Sequence, residues 1–238
     1  DLYIRAQGDE ALKYKHKYTI AGIKHNLGYY DESISMFKEC IAYFEKENDV
    51  AYIKSLHFLS LSYQKNGQYS LSKKTVEQGI KLSLDLKINY MIPYFFQVFA
   101  VNKYFDGDYK STHVILKNVL PIFLKNKDIG TTATTNYYAG KSLWNIGKKK
   151  DAIPYLKTVD SIFSYNQYIT PELRSSYEML VDYYDEEQDL KKVSRFAAKL
   201  IVAENTINRD FKYLATNLHK KYDVKAMRQK ILENEKHY

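Results

Sequence analysis

The chain has 238 residues, with 36 Lys and Arg against 28 Asp and Glu for a net charge of +8, and is long enough for a substantial core. Its one cysteine, Cys40, excludes an internal disulfide framework and a cysteine-rich metal site, and the roughly 18 consecutive apolar residues of a membrane span occur nowhere in it. Four Pro and nine Gly leave no Pro- or Gly-rich linker, and apolar residues recur with a helical rather than a strand period, so the expected class is all-α.

Along the chain, one pattern returns four times: "NLGYYDESISMFKECI" from Asn26, "KNGQYSLSKKTVEQGI" from Lys65, "FDGDYKSTHVILKNVL" from Phe105 and "NIGKKKDAIPYLKTVD" from Asn145. Each carries a glycine (Gly28, Gly67, Gly107, Gly147), and these are spaced 39, 40 and 40 residues apart. Five residues after the glycine comes a small residue (Ser33, Ser72, Thr112, Ala152), four further a larger apolar one (Phe37, Val76, Leu116, Leu156), and three beyond that Cys40, Gly79, Val119 or Val159. Steps of four and three place these positions on one face of a helix, and the glycine suits a tight turn that needs positive φ. A fifth, degenerate unit puts Gln188 in the glycine slot, with Val193, Ala197 and Leu200 facing inward.

Upstream of each turn lies a second amphipathic helix: Leu56-x-x-Leu59-Ser60-x-x-Tyr63, then Phe96-x-x-Phe99-Ala100, then Ala139-Gly140 with Leu143, then Tyr177-x-x-Leu180-Val181-x-x-Tyr184. The pairing resembles the tetratricopeptide repeat over roughly 13–200, with the second and fourth units the best matches. The resemblance implies a right-handed superhelical solenoid of about five helix-turn-helix repeats. The family's usual period is about 34 residues, so the units here are long, as in the sensor regions of bacterial transcription regulators, which the chain also resembles.

Local signals set the boundaries. Thr170 before Pro171 reads as an N-cap followed by a first-turn proline, and Asp49 and Thr131 are candidate caps for the second and fourth repeats. Pro121 is expected to end or kink its helix, and Pro154 is tolerable only if its helix begins near Asp151. Residues 1–207 read as the repeat domain and 208–238 as a separate helix that caps or connects, with a partial stripe of Phe211, Leu214, Leu218, Tyr222, Met227 and Ile231. That last segment holds eight Lys and Arg against four acids, which offers an anionic partner something to bind.

No catalytic constellation stands out. Gly140-Lys141-Ser142 copies the tail of a phosphate-binding loop, but Thr135 occupies the first glycine position and no strand precedes it. The six histidines form neither HExxH nor an i, i+4 pair and read as surface residues, and Cys40 sits in an inward slot. The expectation is a non-enzyme without cofactor or metal.

Resemblance to the repeat family implies that the first helices line a concave groove. Mapped onto this sequence, the groove positions are Lys15, Tyr18 and His25, then Lys54, His57 and Gln64, then Tyr94, Gln97 and Tyr104, then Tyr137, Lys141 and Trp144, then Glu178, Asp182 and Asp185. They would run from basic through aromatic to acidic, a surface for an extended peptide or a partner's helix, or for a second copy of the chain. Tyr18 and Gly22 replace two positions of the co-chaperone lysine–asparagine clamp, so that recognition mode is not expected. The leading expectation is a protein- or peptide-binding sensory region of a bacterial regulator, with no nucleic acid bound directly. The alternative is nucleic-acid or anionic-surface binding through Lys220, Lys221, Lys225 and Arg228. The compartment is expected to be periplasmic if a signal peptide was removed and cytoplasmic otherwise.

Overall fold

The computed structural model describes the backbone of residues 10–235 and the side chains of residues 10–216. Within them, ten α-helices follow one another with no strand: α1 (Glu10–Asn26), α2 (Tyr30–Glu47), α3 (Asp49–Lys65), α4 (Tyr69–Asp85), α5 (Ile92–Phe105), α6 (Tyr109–Lys125), α7 (Ile129–Asn145), α8 (Lys149–Asn166), α9 (Pro171–Glu186) and α10 (Leu190–Glu235). A short 3₁₀ turn, Asn89–Met91, leads into α5. Consecutive helices pack as antiparallel pairs, giving five repeats stacked into a solenoid.

The turn inside each pair is chemically uniform. Gly28, Gly67, Gly107 and Gly147 have φ between 72° and 83°, and Gln188 takes the same left-handed conformation at 57°. In the second repeat, the Gly67 N–H donates to the Gln64 carbonyl at 3.1 Å and the Gln68 N–H to the Tyr63 carbonyl at 2.8 Å. This double bond is the Schellman closure, which satisfies the helix's last carbonyls and sends the chain back antiparallel. Its equivalent recurs at the other four turns, including Asp189 to Tyr184 at 2.9 Å in the glycine-free fifth repeat.

The small residue five places on sits where the two helices of a pair touch. Ser33, Ser72 and Thr112 are buried, and their hydroxyls donate across to the carbonyls of Ala21, Ser60 and Ala100 at 2.9, 2.8 and 3.1 Å. In the fourth repeat this hydroxyl is lost at Ala152, and the opposing residue is Gly140. A Cβ there would lie 3.1 Å from the Tyr155 Cβ and 3.3 Å from the Ala152 carbonyl, so Gly140 is a packing glycine. The "GKS" tripeptide lies inside the C-terminal half of α7, where the helix uses the backbone N–H groups a phosphate would need. Inward-facing Phe37, Val76, Leu116 and Leu156 are fully buried, as are Cys40 and Val159, each large side chain contributing about 1.5–3 kcal/mol of apolar transfer.

Several boundaries differ from the sequence reading. The caps are Asn48 and Asp128, whose side chains accept from the Ala51 and Thr131 N–H at 2.8 and 3.0 Å, not Asp49 and Thr131. Both acceptors stand one turn ahead of the amide they serve, where an N-cap must be. Thr170 does cap α9, accepting from Leu173 at 3.4 Å. Pro121 lies inside α6, which runs on to Lys125; its exposed position leaves room for the ring while Phe123 below it stays buried. Pro154 is accommodated in α8, which begins at Lys149. No new helix starts at 208. The fifth repeat's second helix and the expected C-terminal helix are one 46-residue element, α10, because nothing between Leu190 and Asp210 is a helix breaker.

Candidate functional site

The Lys65 amino group meets a Glu172 carboxylate oxygen at 2.5 Å, joining the end of α3 to the start of α9 across 107 residues of sequence. Such a contact between the second and fifth repeats requires the array to curl toward its first helices, so α1, α3, α5, α7 and α9 line the inner face. The other Glu172 oxygen accepts from the Tyr138 hydroxyl, on α7. Thr170 and Pro171 start α9 just ahead of Glu172, placing its carboxylate in the helix's first turn, where the dipole favours an anion.

Polar side chains of this inner face are tied to one another. Gln64 donates to the Val98 carbonyl at 3.0 Å and to Asn102 Oδ1 at 2.7 Å, and Asn102 Nδ2 donates to Ser72 Oγ at 2.9 Å. His25 Nδ1 lies 3.0 Å from Ser62 Oγ, which also contacts Ser33 Oγ at 3.1 Å. Burial pushes the His25 imidazole down to about 4, with the nearby Lys65 charge acting in the same direction and Glu172 opposing it. His57 is also pushed down to about 4, by burial first and then by His25. Both are therefore neutral at pH 7 and belong to the interior, which corrects their reading as surface histidines. His57 lies edge-on to Phe58, Tyr94 and Phe95, with ring centroids 5.6–5.7 Å away.

The proposed groove positions divide into two sets. His57, Gln97, Tyr104 and Tyr137 are buried, Tyr137 with 1% of its surface exposed, as is Gln64. They are packing residues between neighbouring first helices and cannot contact a partner unless those helices part; on these positions the open-groove expectation is corrected. The cause is the tight curl, which brings each first helix against the next. Tyr18 is half-buried against Phe37 and Phe58, and burial raises its hydroxyl to about 12. Tyr94 is half-buried with its ring 5.0 Å from that of Phe123. Lys15, Lys54, Asp182 and Asp185 are exposed, and Lys141, Trp144 and Glu178 partly so.

These accessible residues include a compact group near the C-terminal ends of α7 and α9. The Lys141 amino group sits 5.4 and 5.2 Å from the Tyr104 and Tyr137 rings, and that of Lys149 sits 4.9 Å from the Trp144 ring, both cation–π distances. Lys149 also bridges to Glu186 at 2.5 Å. Asn145 donates to the Tyr104 hydroxyl at 2.9 Å, fixing that ring. Glu178 is held by Arg174 at 2.8 Å.

Lys65, Glu172, Tyr138 and Asn102 went unnoticed in the sequence. Lys65 directly follows Gln64 at the end of its first helix, but nothing in a linear pattern says that it meets Glu172. The side chains of Lys220, Lys221, Lys225 and Arg228, and the Leu218, Tyr222, Met227 and Ile231 part of the apolar stripe, lie outside the described residues. Cys40 is fully buried, its thiol raised to about 12 by burial, and its sulfur contacts the Tyr14 carbonyl at 3.8 Å; such a thiol is core, not nucleophile. Among the described residues no helix is long and apolar enough to cross a membrane.

Paired helices and a Schellman turn in each unit define an all-α helical-repeat solenoid. The family match agrees: residues 17–46 and 53–85 fit the tetratricopeptide repeat, which places the clearest sequence match in the first and second repeats. Three solved structures share the fold. A Rap protein complexed with competence and sporulation factor superposes with a TM-score of 0.70 at 17% identity, covering 84% of this chain and 56% of that one. Aspartyl phosphate phosphatase F from Bacillus subtilis gives 0.63 at 15%, covering 95% and 62%. A Podosopora anserina kinesin light chain with nearly identical TPR-like repeats gives 0.54 at 15%, covering 81% and 95%. The chain thus spans little more than half of the Rap protein. Comparison with curated protein sequences gave no significant match.

Proposed function

We propose that this chain is a non-enzymatic scaffold that binds a peptide or protein segment on the inner face of its first helices, as the sensory region of a bacterial transcription regulator. The observation that carries the reading is the group of Lys141, Trp144, Glu178 and Asp182, still accessible on an inner face whose other aromatic residues are locked in place. Rigid rings beside a cation, with acids one repeat away, can anchor a side chain and orient the chain that carries it. The fold likeness to a Rap protein solved with a bound factor supports a peptide as the occupant. Its partial coverage supports a sensory region that works within a longer protein.

Trp144 is the chain's single tryptophan, so its emission reports on this surface alone. Peptides selected on the wild-type chain by display should shift that emission on titration. Lys141→Glu should weaken them at least tenfold while lowering the melting temperature only slightly, because Lys141 makes no buried hydrogen bond and its contacts with the Tyr104 and Tyr137 rings are worth about 0.5–1 kcal/mol each. A control on the outer face, Lys117→Glu, should leave affinity unchanged. Equal affinity for all three proteins would remove the inner face as the binding surface.

A further inference from the structure

The contact between Lys65 and Glu172 is unusual in its position rather than its strength. The two side chains retain 29% and 22% of their exposure, so they are reachable from solvent yet already partly desolvated. A pair this exposed contributes little to stability and exchanges readily. Removing just one partner is another matter, because the remaining charge keeps its desolvation cost without its counter-charge. Glu172 has a second fixed donor in Tyr138, itself buried. Beside Lys65, His25 is held neutral by its burial and by the Lys65 charge, so it does not compete for an anion. Farther along the same inner helices, ten or more residues from the pair, exposed Lys54 lies on α3 and Asp182 and Asp185 on α9, with exposed Lys15 on α1. The inner face is therefore positive on one side of the contact and negative on the other.

Resting on the inner-face reading above, we propose that Lys65 and Glu172 form a charge-exchange subsite for a peptide segment of mixed charge. The segment's carboxylate takes Lys65 and its ammonium or guanidinium takes Glu172, as the second and fifth repeats move apart to admit it. A ligand of one sign would satisfy one side and strand the other. A segment carrying both signs replaces the internal pair charge for charge, and the asymmetry of the flanking residues sets its direction, acidic end toward α1 and α3. The exchange also means that the empty solenoid is the closed form and the loaded one the open form.

The test uses three hexapeptides, Lys-Lys-Ala-Ala-Glu-Glu, Lys-Lys-Ala-Ala-Lys-Lys and Glu-Glu-Ala-Ala-Glu-Glu, with two readouts. One is Trp144 emission; the other is energy transfer between dyes on Ser70→Cys, in the first turn of α4, and Glu187→Cys, in the turn after α9, both exposed, with buried Cys40 left unlabelled. The mixed peptide should bind at least fivefold tighter than either uniform one and lengthen the dye separation. Lys65→Ala should lengthen it without peptide and reduce the mixed peptide's advantage below twofold. The charge-reversed pair, Lys65→Glu with Glu172→Lys, should restore the short separation. An unchanged separation in Lys65→Ala overturns the exchange, whatever binds. A uniform peptide that shifts Trp144 emission as tightly as the mixed one overturns the exchange and leaves the inner-face reading standing. If none of the three shifts it, both fall.

Discussion

At the scale of single residues, the interior imidazoles have the clearest solution signature. His57 is buried among three aromatic rings, and its folded pKa is pushed from 6.5 down to about 4. As pH falls, the unfolded chain takes up a proton on this group first. Its contribution is therefore complete above about pH 6.5 and lost progressively toward pH 4. Each pH unit in that window costs about 1.4 kcal/mol for one such group, so acidifying from pH 6.5 to 5 should destabilise the chain by about 2 kcal/mol through His57 alone. Denaturant unfolding at the two pH values checks this, and His57→Phe should flatten the slope by about that amount. Spacing rules could not reveal these histidines as interior groups, because imidazole is as common on a surface as in a core. Their burial depends on which helix packs over them.

Between helices, the fit of α4 against α5 turns on one glycine. A Cβ at Gly79 would fall 2.2 Å from two atoms of the fully buried Phe95 ring. The other repeats place Cys40, Val119 and Val159 in this slot, so the second repeat exchanges a side chain for the neighbouring ring. Gly79→Ala should force Phe95 from its site and cost about 1–3 kcal/mol, read as a lower melting temperature. Phe95→Leu in the same chain should recover part of the loss. The slot itself was legible from its spacing of three after Val76, and so were all five turns, even the one built on Gln188. Pro121 does not end α6, which runs on to Lys125 with this residue exposed on its solvent side. The change of charge composition near 208 leaves the backbone unbroken, because no Gly or Pro interrupts α10.

For the molecule as a whole, stability should follow the order of neighbours. The largest core cluster runs from Ala100 to Ala203 and is shared by the last three repeats, whereas among the described residues α1 packs against α2 and α3. In a repeat array each unit draws its stability from its own interface and those beside it. Amide hydrogen exchange should accordingly be fastest in α1 and slowest in α7 and α8, with protection rising from the first repeat to the fourth. Equal protection in α1 and α7 would mean that the array opens as one unit. The order of repeats could be read from the 40-residue spacing, and with it the fold. How tightly the array curls could not, because curl sums small rotations between repeats that no single motif encodes. That is why five of the fifteen inner-face positions are packing residues, and why the Lys65–Glu172 closure was invisible in the sequence.

The unbroken length of α10 has a mechanical consequence. The part from residue 208 to 235 extends about 42 Å at the usual rise of a helix, with its near end built into the fifth repeat. Such a rod is a lever. If the fifth repeat tilts by about 10°, the far end sweeps about 7 Å, a displacement several times larger than the side-chain shift that starts it. A hinge at 208 would dissipate that motion; a continuous helix delivers it.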